Sequence, residues 1–256
     1  NEHPFSRFQW AIFALCFVIV LLDGFDTAAI DADIYGFSLP RLFGVHTQPT
    51  NLNGMLMPVT AWGVKLISIG MFAGADRAIL WRGPRLQRSL EQFLSDVWWG
   101  EPDVLLLDLA PGTGDMAISV AQALPNAELV VVTTPQDIAL IDAKKAVDMF
   151  QKVNIPIFGV LENMSVHICS HCGHSEAIFG HDGGKHLADK LGVPLLGQLP
   201  LSLPVREAMD AGTVKQMQEA QPAIAEIYTH AAWALALAVA DKGKDFSSRF
   251  PKIVVE

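Results

Sequence analysis

The sequence has little positive charge and few cysteines, and each shortage excludes a class of protein. Lysine and arginine number 18 against 27 acidic residues, so the 256-residue chain carries a net charge of −9. With no basic stripe to neutralise phosphates, nucleic acid is excluded as a partner. Three cysteines cannot build a disulfide framework. Two of them are only three positions apart, which favours a reducing compartment and a metal or redox role.

Apolar residues are plentiful, at 51% of the chain. This content is ample for the core of one α/β domain with an appendage, the expectation at this length. Short strand-like runs alternate with helical patterns, and the runs lie at 64–69, 104–107, 128–134, 155–161 and 193–199. The alternation predicts a parallel sheet with helices on both faces.

The segment DVLLLDLAPGTGD combines a buried strand with a glycine-rich turn. Val104–Leu107 are wholly apolar, and Asp108 follows where open α/β sheets place their ligand crevice. The turn Pro111–Gly114 can present backbone N–H groups to an anion, and Asp115 then opens a helical pattern. The segment is typical of a metal–phosphate sensor, and an ordinary βα loop with an N-cap aspartate is the alternative.

The segment CSHCGH can bind a soft metal. Cys169 and Cys172 have the spacing with which two thiolates chelate one ion. A closed site or a [4Fe–4S] cluster needs four ligands, and only these two cysteines lie outside the apolar leader. A homodimer that shares one cluster across a two-fold axis would supply the rest. Zinc bound together with His171 or His174, and a thioredoxin-like redox pair, remain open.

Residues 1–30 form a leader of a different kind. Trp10–Leu22 are 13 consecutive apolar residues, fewer than the roughly 20 that a membrane span needs. The stretch FQWAIFALCFVIVLLDGFDTAAI resembles the first transmembrane helix of major facilitator transporters for aromatic acids, and the resemblance stops at Ile30. We expect an apolar helix that is a membrane anchor, a substitute for missing core, or an accidental fusion.

From about Asp31 onward the chain resembles the Mrp/ApbC-type iron–sulfur cluster carriers, which are deviant P-loop ATPases related to MinD. DLAPGTGD corresponds to the Walker B and switch II segment. Further motifs follow the family order, namely DADIYGFSLPR, WRGP, TTPQDIALIDAKKA, GVLENMS, CSHCGH and PLSLPVREAMDAG. The resemblance implies a P-loop NTPase-like domain over residues 31–241 and a polar tail over residues 242–256. Ala110, Phe37 and Ser170 stand where the family usually has proline.

The resemblance also implies roles for individual residues. Asp31 and Asp33 match the switch I segment, in which one aspartate positions the attacking water and the other supports Mg²⁺; Asp108 completes the catalytic set. Nucleotide contacts are implied at Gly112, Thr113, Gly114, Asp115, Asn163, Pro200 and Leu201, with Asn163 at the adenine edge. Cys169 and Cys172 are the implied metal ligands, and the resemblance favours a [4Fe–4S] cluster over zinc.

One family motif is absent. Relatives carry G-K-G-G-V-G-K-S/T, whereas no G-x-x-x-x-G-K-[ST] occurs in this sequence. We expect an N-terminally truncated domain in which the leader replaces the first strand, the phosphate loop and the first helix. Binding of ATP and Mg²⁺ is then weakened, and ATP hydrolysis stays an open question.

The expected function is that of an iron–sulfur cluster carrier that passes a labile cluster to apo iron–sulfur proteins. The resemblance implies a cytoplasmic homodimer joined through the cluster, and residues 10–22 add an expected contact with a membrane. The alternatives are a non-enzymatic metal-binding scaffold and a non-functional fusion fragment, either of them membrane-tethered.

Overall fold

The structure is a computed structural model that describes residues 26–33, 38–73, 83–109, 114–169 and 171–241. Several predictions from the sequence fall outside these residues. They concern the leader up to residue 25, Gly112 and Thr113 in the turn, and the tail from residue 242. Helical backbone is described at Asp115, but its side chain is not.

Eleven strands lie within the described residues. The longer ones form where the sequence has runs of valine, isoleucine and leucine, residues that suit a sheet buried on both faces. In chain order they are β1 (Thr27–Asp31), β2 (Thr50–Leu52), β3 (Met55–Met57), β4 (Val59–Ala61), β5 (Val64–Ser68), β6 (Val104–Asp108), β7 (Leu129–Thr133), β8 (Ile157–Glu162), β9 (His167–Ile168), β10 (Ser175–Glu176) and β11 (Leu195–Gln198).

The same residues contain nine helices. They are α1 (Leu39–Leu42), α2 (Gly70–Ala73), α3 (Gly83–Ser95), α4 (Gly114–Ala123), α5 (Asp137–Lys152), α6 (Gly183–Leu191), α7 (Leu203–Ala211), α8 (Val214–Ala220) and α9 (Pro222–Asp241). Gly192 and Gly212 end α6 and α7 in the left-handed conformation, the usual way in which glycine terminates a helix.

The main strands form two half-sheets. The first has the order β4-β5-β1-β6, in which β1 pairs in parallel with β5 and β6 while β4 is antiparallel to β5. The second has the order β11-β8-β7 and is parallel throughout. Two short antiparallel hairpins, β2-β3 and β9-β10, complete the strands described.

Apolar layers cover both faces of these sheets. Successive residues of β1 belong to different layers, because Ala29 packs with α1, α7, α8 and α9 whereas Ala28 and Ile30 pack with α3, α4 and α5. The alternation follows from the two-residue period of a strand. The predicted α/β class, a parallel sheet with helices on both faces, is therefore confirmed.

Residues 27–30, which the sequence analysis placed in the leader, belong to the central strand of the first half-sheet. All five residues of β1 are buried. The predicted domain start at Asp31 thus coincides with the last residue of this strand. The sequence analysis missed this strand because TAAID is short, consists largely of small residues, and its first four residues lie within the stretch that resembles a transporter helix.

Helix α9 is long and predominantly apolar. Its first 18 residues, Pro222–Val239, would pass for a membrane span by length and composition. Tyr228, Ala232 and Leu235 on this helix are nevertheless buried against the sheet. Core helices of globular domains pass the same test, but only 33% of this window is buried, and Trp233, Leu237 and Val239 are exposed.

Candidate functional site

Polar side chains meet at the carboxyl end of the first half-sheet. Asp31 ends β1, and the strand register places it beside Ser68 of β5 on one side and Asp108 of β6 on the other. Asp33 follows two residues later, and all four side chains are buried. The structure thus brings together the three predicted catalytic aspartates, Asp31, Asp33 and Asp108. It adds Ser68, which the sequence analysis missed because a serine in a strand carries no distinctive signal.

Asp31 is held from one side only. Its Oδ2 atom accepts hydrogen bonds from the Ser68 hydroxyl at 3.0 Å and from the backbone N–H groups of Ser38 at 3.1 Å and Leu39 at 3.3 Å. Its Oδ1 atom is buried and has no hydrogen-bond partner among the described residues. A buried acceptor without a partner is costly, so this oxygen is suited to a ligand.

Burial raises the pKa of Asp31 from 3.8 to about 7. The hydrogen bonds from Ser68, Leu39 and Ser38 oppose this shift, and the charge of Asp33 adds to it. A divalent cation beside Oδ1 would favour the ionised form, and clustered carboxylate oxygens are the ligands that Mg²⁺ takes. Among the described residues, however, the three aspartates are not arranged as a group that holds a metal ion. Gly112 and Thr113 of the predicted phosphate turn lie outside the described residues.

The predicted base contacts come together at the second half-sheet. The Asn163 N–H donates to Thr133 O at 2.7 Å, and its Oδ1 accepts from the Met164 N–H at 2.9 Å. Beyond Asn163 the chain runs alongside the loop that contains Pro200 and Leu201. Ser165 donates to Leu199 O, and the Leu201 N–H donates to Val166 O at 2.7 Å.

Glu162, next to Asn163, is a buried carboxylate that the sequence analysis did not select. Its Oε2 accepts the Gly184 N–H at 2.5 Å and its Oε1 accepts Gln198 Nε2 at 2.7 Å. The side chain therefore ties the start of α6 and the end of β11 to the end of β8. The pair Gly183-Gly184 is the signal that could have revealed it, since a β-carbon on Gly184 would lie 2.8 Å from the Glu162 Cβ.

Cys169 and Cys172 lie in the turn between β9 and β10. The turn is closed by hydrogen bonds from the Cys169 N–H to His174 O at 2.9 Å and from the Gly173 N–H to Cys169 O at 2.8 Å. Gly173 has a φ of 71°, which glycine adopts without strain. Cys169 is half-buried and Cys172 is exposed, and neither is in a disulfide. Both thiols are thus held in one tight turn at the surface.

The pKa of the Cys169 thiol lies below its usual value. Backbone N–H groups of Cys172 and His171 donate to the sulfur and favour the thiolate, the form that binds metals. Among the described residues no group of three or more His, Cys, Asp or Glu side chains is arranged to hold a metal ion. Two soft ligands therefore suit part of a cluster or zinc site whose other ligands come from elsewhere.

Comparison with known sequences places these features in context. A sequence profile of the ParA class, described as the NUBPL iron-transfer P-loop NTPase, matches residues 14–236. The iron–sulfur cluster carrier protein of Escherichia coli K12 is 47% identical over 208 residues, which cover 80% of this chain and 56% of that protein. The carrier of Pseudomonas fragi is 43% identical over 209 residues, covering 80% and 73%. The chain spans about half the length of the first of these relatives.

Comparison with solved structures identifies proteins of similar fold. A nucleotide-binding protein from Archaeoglobus fulgidus, solved in complex with ADP and containing Co, superimposes with a TM-score of 0.70 at 29% identity. The match covers 83% of this chain and 84% of that one. The two half-sheets therefore share the fold of that protein.

Proposed function

Because this chain belongs to the family of NUBPL iron-transfer P-loop NTPases, we propose that it binds an iron–sulfur cluster and delivers it to apo iron–sulfur proteins. The observation that carries the proposal is the β9-β10 turn, in which two exposed or half-exposed thiols lie on a closed loop. A surface position suits a cargo that must leave. The hydrogen bonds that lower the Cys169 pKa favour the thiolate, which is the form that binds metals.

The cluster is proposed to be [4Fe–4S], held between two copies of the chain. Four thiolates are needed, and this turn supplies two. A two-fold axis beside the turn would bring Cys169 and Cys172 of both copies to one cluster, since a symmetric dimer presents the same patch twice. The exposure of Cys172 supports this arrangement because a buried thiol could not reach a second subunit.

Reconstitution of the purified chain with iron and sulfide under anaerobic conditions tests this function. We expect a brown dimer with about one four-iron cluster per two chains. Cys169→Ser and Cys172→Ser should each abolish the visible absorbance and the dimer. Cys16→Ser is the matched control, because it removes a thiol outside the turn, and it should retain both.

Zinc is the competing cargo, and the compact turn favours it as a second candidate. Such a turn with two cysteines is a common half of a tetrahedral zinc site. A colourless monomer with one zinc ion per chain after reconstitution in the presence of both metals would replace the cluster proposal with a metal-binding scaffold.

We propose that nucleotide binds at the carboxyl ends of the strands. Asp31, Asp33 and Asp108 would hold Mg²⁺, and Asn163 with Pro200 and Leu201 would contact the base. The contacts of Ser165 and Leu201 link this base-side segment to the strand that leads into the cysteine turn, which gives nucleotide a route to affect cargo release. Contacts to the nucleotide phosphates are expected to be weak, because the sequence contains no G-x-x-x-x-G-K-[ST] loop.

A further inference from the structure

The two thiols of the β9-β10 turn are in contact with each other. The Cys172 thiol donates a hydrogen bond to the sulfur of Cys169, and the backbone N–H groups of Cys172 and His171 donate to the same sulfur. Three donors therefore converge on one sulfur and stabilise negative charge there. This environment makes Cys169 the nucleophile of the pair, with the second thiol already in reach.

The backbone of the turn holds the two cysteines at a separation that a disulfide can span. Hydrogen bonds from the Cys169 N–H to His174 O and from the Gly173 N–H to Cys169 O close the chain around them. In a tight turn the Cα atoms of the first and fourth residues lie within about 7 Å of each other. Disulfides join Cα atoms that are about 4.4–6.8 Å apart. A bond between the two sulfurs therefore fits the turn as it stands.

The pair is open to small molecules from solution. Cys172 is exposed, Cys169 is half-buried, and neither is in a disulfide. Within the part of the chain that the structure describes, no group of three or more His, Cys, Asp or Glu side chains is arranged to hold a metal ion. One copy of these residues thus leaves both thiols accessible until further ligands arrive from elsewhere.

We propose that Cys169 and Cys172 of the empty turn close to an internal disulfide on reaction with a small organic disulfide, and that this bond reversibly blocks cargo binding. The contact between the two sulfurs, their exposure and the closed backbone of the turn carry the inference. Formation of the disulfide is a property of the turn alone. The blocking effect rests on the proposed function, because it needs a cargo that binds through the same thiols.

The reaction is a thiol–disulfide exchange in two steps. The Cys169 thiolate attacks one sulfur of the small disulfide, so that a mixed disulfide forms and one small thiolate leaves. Cys172 then loses its proton and attacks the Cys169 sulfur, which forms the internal bond and expels the second small thiolate. The pair gives up two electrons and two protons, and the small disulfide takes up both to become two thiols.

The disulfide and the cargo exclude each other. Iron and zinc bind cysteine as the thiolate, and a sulfur in a disulfide no longer carries that charge. A bound cargo in turn occupies both sulfurs and leaves neither to attack a small disulfide. Oxidation therefore acts on the empty chain and spares the loaded one, and a thiol reductant restores the binding form.

Glutathione disulfide is the probe, and the full chain with Cys16→Ser is the protein, because its only thiols are then those of the turn. After treatment of the reduced, metal-free chain, we expect both free thiols to disappear and the mass to fall by two hydrogens. The product should migrate as a monomer on a non-reducing gel. Dithiothreitol should restore both thiols. Anaerobic reconstitution should then give visible absorbance in the reduced chain and none in the oxidised chain.

Single substitutions in the same background separate the two steps. Cys172→Ser should stop at a mixed disulfide on Cys169 that carries the mass of one glutathione, and Cys169→Ser should react more slowly because its remaining thiol is not the one that accepts the three hydrogen bonds.

Three results would overturn the proposal. Both thiols persist or end as mixed disulfides when both cysteines are present, the disulfide joins two chains, or the oxidised chain takes up as much cluster as the reduced one. The thiol count involves no iron. A chain that forms the internal disulfide but binds no cluster when reduced would therefore contradict the proposed function alone.

Discussion

At the residue scale, the side chain with the largest predicted effect on stability is Asp31. It is fully buried, and burial raises its pKa so that it ionises only near neutral pH. Its folded-state pKa of about 7 exceeds the ordinary value of 3.8, so the folded chain binds the proton more tightly than the unfolded chain. The resulting stabilisation is complete below about pH 4 and is lost as pH rises through 7. Above neutral pH the protein therefore carries a buried charge that only a cation would relieve.

We predict that Asp31→Asn flattens this pH dependence. The variant should gain stability relative to the parent between pH 5 and pH 8, on the order of a few kcal/mol, since one pKa unit corresponds to about 1.4 kcal/mol. Urea unfolding at the two pH values measures it. The control is Asp148→Asn, which should leave the pH slope nearly unchanged because its ion pair with Lys152 is exposed. An unchanged slope in Asp31→Asn would show that Asp31 titrates normally.

Glu162 is the second residue whose burial predicts a measurable effect. Both its oxygens accept hydrogen bonds, so Glu162→Gln must turn an amide N–H toward the Gly184 N–H or toward Gln198 Nε2. We expect a loss of about 1–3 kcal/mol in the free energy of unfolding. Chemical denaturation checks this. The control is Glu207→Gln in α7, which should cost well under 1 kcal/mol because its ion pair with Arg206 is exposed. A loss no larger than that of the control would contradict the role assigned to Glu162.

At the element scale, the start of α6 depends on close approach to the loop after β7. A β-carbon on Gly183 would lie 2.5 Å from Pro135 O, a backbone atom that cannot move aside cheaply. We predict that Gly183→Ala destabilises the chain by about 1–3 kcal/mol or more through displacement of α6. The displacement should also weaken the hydrogen bond from the Gly184 N–H to Glu162, next to the predicted base contact Asn163.

Gly192→Ala, at the other end of α6, is the matched control for that prediction. Its φ is 68°, and no atom lies within 4 Å of an added β-carbon. It therefore reports only the conformational cost of a left-handed residue, about 1–2 kcal/mol. If thermal or urea denaturation shows equal losses for the two variants, the steric argument at Gly183 fails.

At the scale of the whole molecule, β1 shows that residues 27–30 belong to the sheet and not to a separable leader. We predict that deletion of residues 1–25 reduces aggregation or membrane partitioning, because it removes the continuous apolar run Trp10–Leu22. Deletion of residues 1–30 should instead prevent folding, since it removes four of the five residues of β1. Sedimentation with vesicles and circular dichroism measure the two outcomes. A parent chain that is monodisperse without detergent would contradict the first.

Residues 1–256 contain no G-x-x-x-x-G-K-[ST] sequence, and from this we predict how the chain binds nucleotide. We expect two or three charge-assisted contacts fewer than a phosphate loop would make, each worth about 1.5–3 kcal/mol. At tenfold per about 1.4 kcal/mol, affinity for ATP falls by a few orders of magnitude. We expect very weak ATP binding with Mg²⁺ and no measurable turnover in a phosphate-release assay. Turnover that disappears in Asp108→Ala would mean that another segment cradles the phosphates.

The sequence by itself determined the α/β class, the paired thiols and the aspartates at strand ends. These features are local, because runs of apolar residues, glycine-rich turns and short cysteine spacings act within a few residues. The strands predicted at 64–69, 104–107 and 128–134 accordingly match β5, β6 and β7 closely.

Only the tertiary structure decided what depends on residues distant in the chain. It assigned residues 27–30 to the sheet, placed Ser68 beside Asp31, and showed that Glu162 holds α6 and β11 together. Among the described residues, it divided the main strands into the orders β4-β5-β1-β6 and β11-β8-β7. Pairing of strands and burial of a carboxylate are set by neighbours 20 to 80 positions away, and periodicity along the sequence carries no record of them.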